Sequence, residues 1–183
     1  MGIIGKDFDY KLIKNFLSED EINILSCYCE MRHRTNLTNF DLDQSCVGDT
    51  YFYGDPLMES LMLVKKNLME KETGKKLLPT YAFWRTYTKH AVLKKHSDRP
   101  SCEISVTVNI DNDGTDWPIF MDGKPVIAKR GDAVIYLGCK LKHWREAFNG
   151  DFTFQTFLHY VDAEGPNKGY YMDNRMYWGI VKK

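Results

Sequence analysis

The sequence has no long apolar run, no excess of either charge and no paired-cysteine motif. Without an apolar stretch near twenty residues there is no candidate membrane-spanning helix. Its 25 basic and 25 acidic residues cancel, so nothing global favours nucleic acid or an anionic membrane as partner. The five cysteines, at 27, 29, 46, 102 and 139, are odd in number and form no CxxC pair. That argues for free thiols in a reducing compartment, and Cys27-x-Cys29 is too isolated for a zinc half-site. The opening Met1-Gly-Ile-Ile-Gly-Lys6 is too short and too soon charged for a signal peptide, and Lys6 breaks the myristoylation pattern. A cytoplasmic setting is therefore expected, a host's cytoplasm if the protein is viral. Internal repeats, low-complexity tracts and long linkers are also missing. With 43% apolar and 27% charged residues among 183, the chain is expected to form one globular domain.

What is present divides in two. Ser18-Glu-Asp-Glu21 is a capping box ahead of an apolar-periodic run, Ile22 to Tyr28, which predicts a helix fading near Arg32–Arg34. Residues 35–54 read as mixed loop with a short strand at Thr50–Tyr53. Asp55-Pro56 opens a second helix, striped by Leu57, Leu61, Val64 and Leu68 and stopped by Gly74. From Leu77 the period becomes two. Pro79–Thr88, Ser101–Ile110 and Ala133–Leu137 read as strands. Asp122-Gly123 predicts a hairpin between Trp117–Met121 and Lys124–Ala128, and Asn149-Gly150 another between Lys142–Phe148 and Phe152–Val161. Seven or eight short strands imply an antiparallel sandwich or barrel.

The chemistry centres on His96-Ser97-Asp98. On a strand, positions i and i+2 share a face. A third ligand must come from elsewhere, and His143 opens a later strand. Two imidazoles and one carboxylate on one face of an octahedral iron(II) leave three positions open, enough for a bidentate 2-oxo acid and dioxygen.

The stretch from Tyr81 to Pro166 resembles the catalytic core of the prolyl 4-hydroxylase-like branch of the 2-oxoglutarate/iron(II) dioxygenases. The likeness rests on Tyr87-Thr-Lys-His-Ala-Val-Leu-Lys-Lys-His96-Ser-Asp98, on Lys129-Arg-Gly131-Asp132-Ala-Val-Ile-Tyr136 ahead of His143, and on His143-Trp-Arg-Glu146 and Gln155-Thr-Phe-Leu-His-Tyr160. The last two are similar to segments of small microbial and phage-encoded members. The resemblance implies a mainly β fold: a double-stranded β-helix (jelly-roll, cupin-like) core with supporting N-terminal helices. Residues 1–183 then form one oxygenase domain: 1–76 helical support, 77–162 the core and 163–183 a C-terminal cover. It also implies His96, Asp98 and His143 as iron ligands and catalytic centre, Tyr87 as a hydrogen-bond donor to 2-oxoglutarate, and dioxygen as oxidant. The implied reaction hydroxylates an unactivated C–H bond, releasing succinate and carbon dioxide. The substrate would be a prolyl residue of a peptide or protein, or a small molecule, rather than nucleic acid.

One departure stands out. The family places Lys or Arg about ten residues after the distal histidine to hold the far carboxylate of the co-substrate, and position 153 here is Thr. A buried dicarboxylate still needs a cation. Arg145 shares the inward face with His143 and is the expected anchor, helped by Thr153 and Gln155 on the facing strand. Arg85 is the competitor, and an ion pair with Glu146 or Asp132 is the other reading of Arg145. His159 reads as structural, His90 as exposed, and Arg99-Pro100 as loop-fixing. Two other classes remain: a non-enzymatic jelly-roll binding protein, and a cupin-like metalloenzyme without 2-oxoglutarate.

Overall fold

The computed structural model describes residues 4–7, 9–35 and 50–180. The expectations for Met1–Ile3, for most of the loop before Thr50 and for Cys46 lie outside the described residues. Two helices and ten strands follow in order: β1 (Tyr10–Ile13), α1 (Glu19–Arg34), β2 (Tyr51–Tyr53), α2 (Pro56–Thr73), β3 (Leu77–Thr88), β4 (Leu93–His96), β5 (Ile104–Asn112), β6 (Ile119–Met121), β7 (Lys124–Val126), β8 (Ala133–Tyr136), β9 (His143–Arg145) and β10 (Phe152–Asp162). They form an antiparallel six-stranded sheet, β1-β8-β5-β10-β3-β2, and a four-stranded sheet, β4-β9-β6-β7. The mainly β, jelly-roll expectation is met.

Both helices begin where their caps dictate. The Ser18 hydroxyl accepts from Glu21 N (3.2 Å) and the Glu21 carboxylate accepts from Ser18 N (2.7 Å). Asp55 accepts from the amides of Leu57 and Met58 ahead of Pro56, and Gly74 ends α2 in the left-handed region at φ 65°. Each cap is worth about 1 kcal/mol. The apolar stripes of both helices, with Ile22, Leu25, Met58 and Met62, pack on one face of the six-stranded sheet against Trp84, Val106, Ile135 and Leu158. Complete burial of such side chains contributes roughly 1.5–3 kcal/mol each.

Strand alternation turns the other face of that sheet inward. This face is unusually polar for a barrel interior: Ser105, Thr107 and Asn109 on β5, Arg85 on β3, and Thr153, Gln155 and His159 on β10 are all buried. Side chains of β9 meet it, with the His143 and Tyr136 rings 4.7 Å apart.

Three expectations need correction. The region before residue 77 is not only helical support: besides the expected short strand, now β2, it supplies β1, and these two are the edge strands of the large sheet. Tyr10 and Leu12 pack inward beside Tyr136 while Lys11 reaches Glu72, an alternation too short to register in the sequence. The second strand core begins at Ile104, because Pro100–Cys102 forms a 3-10 turn. Nor is there a hairpin at Asn149-Gly150. β9 belongs to the small sheet and β10 to the large one. Phe148 is fully buried beside Tyr87, Ala91 and Trp117, so the chain dives inward there and emerges in the other sheet. A Cβ on Gly150 would lie 2.5 Å from the Phe148 ring. The Asn-Gly signal marks where the chain bends, not with what it pairs.

After β10 the stretch Lys168–Asn174, 3-10 turns broken by a kink where Met172 and Asp173 take positive φ, lies against β3 and β10. Arg99 holds its Asp173 through two hydrogen bonds of 2.9 Å, and the Tyr53 hydroxyl donates to the same carboxylate. Among the described residues no helix is long and apolar enough to cross a membrane.

Candidate active site

His96 is the last residue of β4 and pairs directly with His143, the first of β9. Their rings lie 4.3 Å apart. Asp98 stands just past the end of β4 rather than on it. Its amide donates to Gly138 O (2.9 Å), drawing the chain off the strand, and Pro100 follows. The side chain still converges: Asp98 Oδ1 is 3.5 Å from His96 Nε2 and 3.4 Å from His143 Nε2.

Hydrogen bonds fix both imidazoles. Nδ1 of His96 lies 2.7 Å from Lys94 O, and Nδ1 of His143 lies 3.1 Å from Leu141 O. A carbonyl only accepts, so each Nδ1 carries a proton and each Nε2 lone pair faces the shared centre. This is how metal-ligating histidines are held. Burial acts to raise the Asp98 pKa, but while the centre holds no metal and the rings also carry a proton on Nε2, His143 and His96 donate to the carboxylate, outweigh burial and hold it well below the usual range. Asp98 in turn raises His96. His143 is 2% exposed and His96 40%, so the centre opens to solvent on the His96 side.

An open cavity of about 140 Å³ reaches this centre. Tyr81, Phe83, Arg85, Tyr87 and Phe157 line its walls. Arg145 does not; it lies deeper, 2% exposed. Its guanidinium donates to Trp117 O, reaches Thr107 Oγ1 at 3.5 Å and Gln155 Oε1 at 3.4 Å, and covers the Trp117 ring at 4.8 Å. Gln155 Nε2 donates to Thr153 Oγ1 at 2.9 Å. Arg145, Gln155 and Thr153 are thus brought together. No carboxylate pairs with Arg145 among the described residues, and its Nε has no hydrogen-bond partner. Glu146 is exposed, and Asp132 accepts instead from the amides of Asn15 and Lys129. Burial pulls the Arg145 pKa down to about 10. Tyr87 packs edge-on against Trp117, 4.8 Å between centroids.

The remaining candidates fall outside the centre. His90 is exposed in the loop after β3, at φ 71°. Between His143 and Arg145 on β9, Trp144 faces the other way and stacks on Phe120 at 5.2 Å. Arg99 secures the C-terminal segment. Asp98, Cys102 and His159 form a second compact group. Its atoms have partners of their own: the Tyr81 hydroxyl lies 3.1 Å from Cys102 Sγ, and Ser105 Oγ 2.9 Å from His159 Nδ1. Ser105 and Gly138, both in contact with Asp98, had not been singled out from the sequence. The signal was the polar file Ser105-x-Thr107-x-Asn109 on an otherwise apolar strand.

No protein-family model matches the sequence, and no curated protein matches it. Solved structures do. A prolyl-4-hydroxylase from Pseudomonas putida superposes with a TM-score of 0.65 at 16% identity, covering 84% of this chain and 93% of that one. A viral collagen prolyl hydroxylase from Paramecium bursaria Chlorella virus-1, in complex with 2-oxoglutarate, gives 0.63 at 12% identity, covering 84% and 96%. HygX from Streptomyces hygroscopicus, with nickel and 2-oxoglutarate bound, gives 0.65 at 13% identity, covering 85% and 84%. The fold is that of the 2-oxoglutarate/iron(II) oxygenases. Within this fold, the two histidines and the aspartate stand at the junction of β4 and β9 and line the cavity.

Proposed function

We propose that the chain is an iron(II)- and 2-oxoglutarate-dependent dioxygenase that hydroxylates an unactivated C–H bond, with release of succinate and carbon dioxide. The observation that carries this reading is the convergence of two Nε2 atoms and Asp98 Oδ1 on one point. The donor set suits a divalent iron: two neutral imidazoles with pre-set tautomers and one carboxylate leave half an octahedron open. The buried Arg145, with its unpartnered Nε, suits an anion that the protein itself does not supply. His96, Asp98 and His143 would hold the metal. Arg145 would grip the far carboxylate of 2-oxoglutarate, with Tyr87, Thr153 and Gln155 as neighbouring donors. Iron and the co-substrate, when bound, supply the activation of dioxygen.

The chain's own part is to orient and to exclude. Carbonyls of Lys94 and Leu141 keep the imidazole lone pairs aimed inward. The aromatic walls of Phe83 and Phe157, 6.1 Å apart, shed water and offer an apolar face to an aliphatic ring. A prolyl residue of a peptide or protein fits that face and is the proposed substrate; a small molecule is the alternative. A cytoplasmic setting goes with this reading.

The test is anaerobic addition of iron(II) and 2-oxoglutarate to the purified protein. A weak visible charge-transfer band is expected, and His96→Ala should abolish it. Absence of the band in the wild type, or its persistence in the variant, would sink the assignment. Succinate release across proline peptides, free amino acids and modified nucleotides then sorts the substrate class.

A further inference from the structure

Asp98 presents its two carboxylate oxygens to different surroundings. Oδ1 faces the two imidazoles. Oδ2 is turned away and accepts a hydrogen bond from Ser105 Oγ at 3.0 Å. Behind it stands the backbone of Gly138, where a Cβ would come within 2.4 Å of Oδ2. The side of the carboxylate away from the histidines is therefore closed by one hydroxyl and one glycine.

The hydroxyl of Ser105 has a single proton and four neighbours: Asp98 Oδ2, Cys102 O at 3.1 Å, His159 Nδ1 at 2.9 Å and the Tyr136 hydroxyl, which can itself donate. A carboxylate is a stronger acceptor than a carbonyl or a neutral ring nitrogen. The proton therefore goes to Asp98, and His159 Nδ1 must donate to Ser105 Oγ. Two hydrogen bonds run in one direction, from His159 through Ser105 to Asp98 Oδ2. Ser105 is completely buried and the His159 ring is braced by Tyr81, 4.5 Å between centroids, so neither end is free to turn.

We infer that Ser105, itself held by His159, is a positioning residue that makes Asp98 present one oxygen, and not two, to the metal. The inference rests on the reading of the site as an iron and 2-oxoglutarate centre. Its consequence is a matter of counting positions. With single-oxygen ligation three of six positions remain, two for the 2-oxo acid and one for dioxygen. A carboxylate released from Ser105 can swing Oδ2 inward and chelate, which leaves two. Such a protein should keep its metal and lose its hold on 2-oxoglutarate. A serine that merely filled space would produce no such split.

The experiment titrates cobalt(II), then 2-oxoglutarate, into the full chain by calorimetry, for the wild type and for Ser105→Ala. Ser105→Ala should bind cobalt at least as tightly as wild type, while its Kd for 2-oxoglutarate rises on the order of tenfold. His159→Asn, whose amide can donate in place of Nδ1–H, should stay close to wild type, and His159→Leu should behave like Ser105→Ala. If Ser105→Ala binds both ligands as wild type does, or loses cobalt itself, the positioning role is wrong while the iron reading stands. A wild type that binds neither cobalt nor 2-oxoglutarate overturns the iron reading and this inference with it. Should Ser105→Ala fail to fold, the contrast between His159→Asn and His159→Leu decides by the same titrations: equal 2-oxoglutarate affinities overturn the inference.

Discussion

The guanidinium of Arg145 crosses from the small sheet to the large one and meets Gln155 Oε1 at 3.4 Å, in the space beside Thr153 where a basic residue was expected. The buried cation beside Thr153 belongs to β9, not to β10.

Arg145 should trade stability for binding. A buried cation without a carboxylate costs folding energy. Arg145→Met is therefore expected to raise the melting temperature of the metal-free protein by a few degrees, on the order of 1 kcal/mol. The same variant should bind 2-oxoglutarate roughly tenfold to a hundredfold more weakly, the worth of charged hydrogen bonds at about 1.5–3 kcal/mol. Arg145→Lys should fall between, since an ammonium keeps the charge without the fork. Thermal melts and calorimetry measure the two effects separately. Unchanged 2-oxoglutarate affinity in Arg145→Met would shift the anchor to Arg85, which lines the cavity.

His159 should make the fold acid-sensitive in a defined window. Burial lowers its pKa from 6.5 to about 4. As pH falls, an unfolded chain takes up that proton first. The stability gained by keeping the ring neutral is complete above pH 6.5, declines below it, and is lost by pH 4, on the order of 3 kcal/mol in all. Melting temperatures from pH 7 to 4 should fall less steeply for His159→Asn than for wild type. Parallel slopes would show that the ring does not titrate in this way.

Gly138→Ala tests the seat of Asp98 without touching a donor. The added methyl would lie 2.3 Å from Cys102 O and 2.4 Å from Asp98 Oδ2, distances no real side chain tolerates. Far-UV circular dichroism should stay near wild type, while affinity for cobalt(II) drops at least tenfold. Wild-type affinity in this variant would mean that the β8–β9 turn yields freely.

The elements that local chemistry specifies were legible in advance. Ser18, Glu21, Asp55, Pro56 and Gly74 mark both helices, because caps act within one turn of chain. The period of two in Ser101–Ile110 marked the strand that became β5, though its start is Ile104. Non-local partners were not legible. Nothing between residues 143 and 161 says that β9 and β10 lie in different sheets; that depends on where the Phe148 ring finds room. β1 was missed because four residues pairing with a strand over a hundred positions away carry no local signature. For the site, it was the family resemblance that joined His143 to His96 and Asp98; strand alternation does not carry that pair, because β4 ends at His96. The support given to Asp98 by Ser105 and Gly138 arises only when β5 and the β8–β9 turn are brought together.

β10 is the seam of the molecule. It pairs along most of its length with both β3 and β5, joining Phe152 to Thr88 and Tyr160 to Ile104. On the ribosome, which releases the chain from its N-terminus, β3 and β5 must wait for a partner made more than forty residues later. Until then the polar inner face and the apolar outer face of the large sheet are both open to the cell. The histidines and aspartate are translated before the strand that completes the wall around them. Iron should thus be captured only after synthesis has passed β10, and a nascent chain halted before Phe152 should neither fold nor retain metal.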